Sequence, residues 1–159
     1  MAETPLARAK AIALRYLAFA ARTEAQVRAR LAKDGLEAEA DAVLGWLRGL
    51  GYLDDAAFAR ARARALLGRG RAGPRLAERR LVAAGVPTAE ARAAVGSALA
   101  EEAGGELALC RALAEQRARG LPLDALDDRD RARLARFLLG RGFAGSVVAS
   151  VIGTFADAD

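Results

Sequence analysis

The residues that could carry chemistry in this chain are few and unevenly placed. There is no histidine and only one cysteine, Cys110. A Ser-His-Asp or Cys-His nucleophile therefore cannot be assembled, and no imidazole is available to a metal. No GxxxxGKS/T phosphate loop occurs, and no GxGxxG follows a strand. Two carboxylate clusters remain, Asp54-Asp55 and Asp127-Asp128-Asp130. A paired-carboxylate mechanism needs them in a cleft, yet both stand where a helix start needs a cap. The second cluster also lacks the glycine and terminal glutamate of a calcium loop. The expectation is no enzyme, no metal and no cofactor. Cys110 lies in the apolar run Leu107-Ala108-Leu109-Cys110 and reads as a small core residue.

Arginine is the one chemically active side chain present in quantity. Residues 60–80 hold Arg60, Arg62, Arg64, Arg69, Arg71, Arg75, Arg79 and Arg80 against a single acid, Glu78. Arg60 and Arg64 share a helix face, as do Arg75 and Arg79, whereas Arg62 points elsewhere. A second stripe, Arg129, Arg133 and Arg136, lies beside Asp127, Asp128 and Asp130. Its plain reading is a solvated face paired with those acids. A planar guanidinium fork suits bidentate contact with carboxylate or phosphate. Residues 60–80 have too few acids for internal pairing and point to an anionic partner, with Arg60, Arg64, Arg75, Arg79 and Arg80 as contact candidates and Arg129 and Arg133 behind them. The net charge of +5 is split unevenly, +7 over residues 1–85 and −2 over residues 86–159. No aromatic residues interleave with the arginines, as base-stacking single-strand binders require.

These side chains must be positioned by helices. Ala, Leu, Arg and Glu dominate, β-branched residues are scarce, and no window alternates with period two. The fold class is all-α. Aromatics make up 5% of the chain, so the core is thin and suits small three-helix units better than one thick globule. Thr4 and Pro5 open the first helix. Thr23 with Gln26 forms a capping box for the second, which stops at Gly35. A third helix spans about residues 37–50 and buries Val43, Leu44, Trp46 and Leu47. Asp54 caps a fourth helix carrying Phe58, Ala61, Ala65 and Leu66. Gly73-Pro74 opens a fifth, anchored by Leu76, Leu81 and Val82 and stopped by Gly85. Thr88 caps a sixth. Gly104-Gly105 leads into a seventh, a loop follows at residues 120–127, the eighth ends at Gly140 to Gly142, and the last runs from about Ala144 to Phe155.

The second-helix stops recur as Gly35-Leu36, Gly85-Val86 and Gly142-Phe143, with glycines 50 and 57 residues apart. That period suits stacked three-helix modules of about 1–50, 51–100 and 101–159. No basic start leads into an uninterrupted apolar run, and the longest charge-free stretch, 142–156, is too short to span a bilayer. A cytoplasmic monomer without membrane contact is expected.

The chain resembles the RecX regulatory proteins along most of its length. The resemblance rests on Leu14, Arg22-Thr23-Glu24, Val27, Arg30-Leu31 and Gly35, and above all on Gly51-Tyr52-Leu53-Asp54-Asp55 followed by Phe58-Ala59. It continues through Gly73-Pro74, Leu81 and Gly85-Val86, and closes with Phe137-Leu138 and Arg141-Gly142-Phe143. Leu76-Ala77 departs from the family's basic-then-apolar order, and residues 86–120 match loosely. The resemblance implies an elongated, curved tandem array of three three-helix repeats. It further implies a negative regulator that binds the groove of the RecA–DNA filament, inhibits recombinase, ATPase and co-protease activities, and so acts in DNA repair, recombination and the SOS response. Within that reading, Gly51 to Asp55 is a turn, a cap and a core anchor rather than a contact surface. Two other readings stay open: a general binder of single- or double-stranded DNA using the same arginines, and a helical-repeat adaptor for another protein.

Overall fold

The structure is a computed structural model that describes residues 2–153. Among these residues every regular element is helical: α1 (Pro5–Phe19), α2 (Glu24–Lys33), α3 (Ala40–Gly49), α4 (Asp55–Gly68), α5 (Pro74–Ala83), α6 (Thr88–Glu101), α7 (Gly105–Ala118), α8 (Asp128–Gly140) and α9 (Gly145–Ile152). Short 3-10 turns precede α3 at Glu37–Glu39 and α8 at Leu123–Ala125.

The helix starts follow from local chemistry. The Thr4 hydroxyl accepts from Ala7 N–H, with Pro5 at the first helical position. Thr23 and Gln26 form a reciprocal capping box. Asp54 and Asp127 accept from the N–H groups of Ala57 and Asp130. Each carboxylate sits where the helix dipole is positive. Thr88 does not cap α6: Pro87 holds that position, and Thr88 is the first helical residue. Along α4 the buried side is Ala59, Ala63, Leu66 and Leu67, so Ala61 faces solvent. Val82 on α5 is also exposed rather than an anchor. The last helix is described to Ile152; Phe155 lies outside the described residues.

The helices pack in threes around three separate cores. The first gathers Ile12, Val27, Leu31, Val43, Leu44 and Leu47 from α1–α3 and is closed by Leu53. The second is alanine-rich, with Ala59, Ala63, Ala77, Ala91, Ala94 and Ala98 around Leu67, Leu81 and Val95. The third holds Cys110, Leu134, Leu138, Phe143, Val148 and Ile152. A compact monomer of 16.6 kDa exposes about 7,600 Å2, whereas this chain exposes 9509 Å2. The excess is what a row of small units produces.

The row is joined through its second helices, α2, α5 and α8. Each ends in a Schellman turn, with Leu36 N–H donating to Leu31, Val86 to Leu81 and Phe143 to Leu138. The glycines at these turns have φ of +74° (Gly35), +99° (Gly85) and +94° (Gly142). Gly85 and Gly142 meet a second demand. The N-terminus of α2 sits on the C-terminus of α5, and the N-terminus of α5 sits on the C-terminus of α8. Thr23 Oγ1 donates to the Ala84 carbonyl. At the equivalent place Gly73 N–H donates to Arg141 (2.7 Å) and Arg75 N–H to Gly142 (3.0 Å). A Cβ at Gly85 would overlap Ala25 Cβ, and one at Gly142 would overlap the backbone nitrogen of Leu76. Gly35 has open space around it.

Gly35→Ala should therefore cost only the left-handed backbone penalty, about 1 kcal/mol. Gly142→Ala adds overlap with backbone that cannot rotate away and should cost about 3 kcal/mol. Urea unfolding of both variants checks this, and equal losses would refute the junction as described.

Candidate functional site

The middle unit carries the arginine cluster, and its buried residues decide which way each side chain points. On α4 the core side is set by Ala59, Ala63, Leu66 and Leu67. At 100° per residue this places Arg60 and Arg64 on one flank and Arg62 and Arg69 on the other. On α5 the buried positions are Ala77 and Leu81. Arg75 and Arg79 then lie opposite the core and point outward beside exposed Val82, while Arg80 lies on the flank. All eight arginines of residues 60–80 are exposed.

Arg64 has an acidic partner from outside that stretch. Its Nε and Nη2 donate to the two carboxylate oxygens of Glu101 at the end of α6, at 2.9 and 2.8 Å. The hydrogen bond and the opposite charge raise the Arg64 guanidinium pKa. The hydrogen bond from Arg64 holds the Glu101 carboxyl below its ordinary value, opposed by desolvation and helped by the Arg64 charge. Among the described residues, no carboxylate lies within ion-pair distance of the other seven arginines. Counting acids between residues 60 and 80 did not find Glu101, because the pair closes across the three-helix unit.

The third-unit stripe behaves differently from its plain reading. Asp128 pairs with Arg131 at 3.2 Å, and Asp127 is occupied as a cap. Neither neutralises Arg129, Arg133 or Arg136. Arg133 instead lines a groove with Asp130, Leu126 and Phe137. This groove is not legible along the chain, because its other wall comes from the turn after α7.

The motif at Gly51 to Asp55 is structural in each described contact. Gly51 takes φ +77° in the turn that ends α3, where Tyr52 N–H donates to Leu47. Leu53 is buried in the first core, while Tyr52 is largely exposed. Asp54 caps its own helix. Asp55 accepts from Glu24 N–H at 2.9 Å and so caps α2 of the preceding unit. Phe58 packs on the second core. Gly73, Pro74, Gly85, Arg141 and Gly142 form the junctions, and Phe143 is buried in the third core. Burial, with the Glu106 charge, pushes the Cys110 thiol up to about 11, so it stays neutral and packs as an apolar residue.

Comparison with known proteins is consistent across the chain. The family model described as the first three-helix domain of RecX matches residues 9–47, and that of the third three-helix domain matches residues 105–152. A regulatory protein RecX of Thermus thermophilus is 42% identical over 139 residues, covering 85% of this chain and 83% of the relative. The chain belongs to the RecX family. A RecX regulatory protein of Syntrophotalea carbinolica is 35% identical over 139 residues, covering 86% of this chain and 88% of its own length. The crystal structure of RecX from Lactobacillus salivarius superposes with a TM-score of 0.77 at 20% identity, covering 93% and 94% of the two chains. A second RecX crystal structure gives 0.74 at 24% identity, covering 92% of this chain and 72% of that one. At these identities the two structures speak for the fold, a helical repeat. The named relatives make this RecX-family chain a regulatory protein. Among its described residues no group of three or more His, Cys, Asp or Glu could hold a metal ion, and no helix is long and apolar enough to cross a membrane.

The Arg64–Glu101 pair predicts a pH dependence of defined sign. The folded-state pKa of Glu101 is lowered, so its contribution to stability is present above the unfolded carboxyl value of about 4.3 and is lost as pH falls through the lowered one. Glu101→Gln should melt slightly below the parent at pH 7, and the gap should close on acidification. A gap that widens in acid would contradict the pairing.

Proposed function

We propose that this RecX-family chain is a negative regulator of RecA that binds in the groove of the RecA–DNA filament and restrains its recombinase, ATPase and co-protease activities. Membership of the RecX family carries the reading. On this reading three modules, about 1–50, 51–100 and 101–159, form the row that lies along the filament in the bacterial cytoplasm. The binding unit is one chain.

The physical support is the arginine face of the middle unit. Arg75 and Arg79 project outward from α5 with Arg80 on its flank, and Arg60 stands exposed on α4, all without acidic partners among the described residues. Such a face suits acidic protein surface or DNA phosphate. In either case it raises the association rate and makes binding salt-sensitive. Arg64 contributes less than its exposure suggests, because Glu101 already occupies its fork. The second reading, a general DNA binder, places the same side chains on naked DNA.

The deciding experiment is single-strand-DNA-dependent ATP hydrolysis by the cognate RecA, titrated with this protein. Inhibition is expected at protein levels well below the concentration of DNA sites. Inhibition only on saturation of the DNA would favour the DNA-binding reading, and none at all would favour the adaptor. Arg75→Glu combined with Arg79→Glu should raise the half-inhibiting concentration about tenfold or more, with helicity and melting unchanged. An unchanged half-inhibiting concentration would remove these two residues from the interface.

A further inference from the structure

The third unit holds a groove of about 390 Å3 between the turn after α7 and a flank of α8. Its floor is aliphatic and aromatic, formed by Leu121, Leu126, Leu134 and Phe137. Leu121 is 59% exposed, an unusual position for a leucine beside other apolar side chains. The rim is basic. Arg117, Arg119 and Arg133 stand around the floor with one acid, Asp130. Asp130 makes no ion pair with them among the described residues.

The backbone holds one of these arginines at a cost. Arg119 has φ +52°, the only non-glycine residue at positive φ among those described, although glycine follows it directly. A left-handed arginine is disfavoured by about 1–2 kcal/mol. Arg119 caps the C-terminus of α7 and lines the groove.

We propose that this groove docks an acidic peptide segment of a partner protein, with one apolar side chain of the segment seated between Leu121 and Leu126. Carboxylates flanking that side chain meet Arg119 and Arg133, whose forks suit bidentate contact. Asp130 accepts a backbone N–H of the segment. The lining favours a peptide over a nucleic-acid strand. A base needs an open aromatic face, but the one ring on the floor, Phe137, is covered by the Arg117 guanidinium at 4.4 Å from its centroid. The rest of the floor is aliphatic. The groove lies on a different unit from the arginine face of α5, and its test needs no filament.

The test is an amide-resonance titration of the full chain with the end-blocked hexapeptide Glu-Asp-Leu-Phe-Glu-Asp. Two control ligands are the same peptide with Ala-Ala in place of Leu-Phe and a thymidylate hexamer. Shifts are expected to cluster on Arg119 to Leu121 and around Phe137, and the Ala-Ala peptide should bind about tenfold more weakly. Leu121→Ser should weaken binding to a similar degree. Arg119→Gly removes the guanidinium while relieving the backbone, so it should lose affinity with melting unchanged or raised. Equal binding of the Ala-Ala peptide would reduce the groove to a general electrostatic surface and overturn the proposal. So would tighter binding of thymidylate at the same residues, or undiminished peptide binding to the Leu121→Ser and Arg119→Gly variants.

Discussion

Every α-helix begins with unpaired N–H groups and ends with unpaired carbonyls, and this protein uses the one to satisfy the other between neighbouring units. The start of α2 meets the end of α5, and the start of α5 meets the end of α8, through Thr23 to Ala84, Gly73 to Arg141 and Arg75 to Gly142. The dipoles of the second helices run head to tail, an attractive arrangement. Contact this close requires backbone to approach backbone, and that fixes the residue types. Gly85 and Gly142 cannot carry a Cβ, and one at Gly73 would sit 2.8 Å from the carbonyl of Gly142. Pro74 follows Gly73 at a position whose N–H no helix bond would use.

The units depend on such junctions because their own cores are slight. The middle core is mostly alanine, with Leu66, Leu67, Leu81, Val86 and Val95 as its larger buried members. Alanine lets α4, α5 and α6 pack closely but removes little apolar area from water per residue. A unit of this kind gains stability from its neighbours, the energetic signature of repeat proteins. Polar groups are shared in the same way. Asp55 opens α4 and caps α2 of the previous unit, while inside the third unit Glu106 on α7 accepts from Ala144 N–H at the start of α9. An acidic residue that looks catalytic when read along the chain is thus occupied by backbone when read through space.

What was legible in the sequence was what the chain settles locally. Caps at Thr4, Thr23, Asp54 and Asp127, and stops at Gly35, Gly85 and Gly142, depend on residues within a turn of one another. Those signals carry the all-helical fold and its repetition. Errors arose where a neighbour in space decides. Val82 is apolar and follows core residue Leu81, but it faces out, since the buried side of α5 is set by Ala77 and Leu81. Ala61 was indistinguishable by type from buried Ala59 and Ala63. The partner of Arg64 lies 37 residues away at Glu101. The groove of the third unit joins the α7 turn to α8, so it depends on residues brought together across the unit.

The stop signal appears three times although the described residues form two junctions, and this separates its two causes. At Gly35 the left-handed turn alone asks for glycine, because nothing lies within 4 Å of where a Cβ would be. At Gly85 and Gly142 the turn and the neighbouring helix ask for it together. The opposite end of the row differs in kind. The helix starts that propagate the row offer donors, the Thr23 hydroxyl and the Gly73 N–H. The start of α8 presents Asp127, whose carboxylate already accepts from Asp130 N–H. It would face the negative end of another helix with like charge. Among the described residues the row of second helices runs from Gly35 to Asp127, which gives the arginine face of α5 a unit on either side.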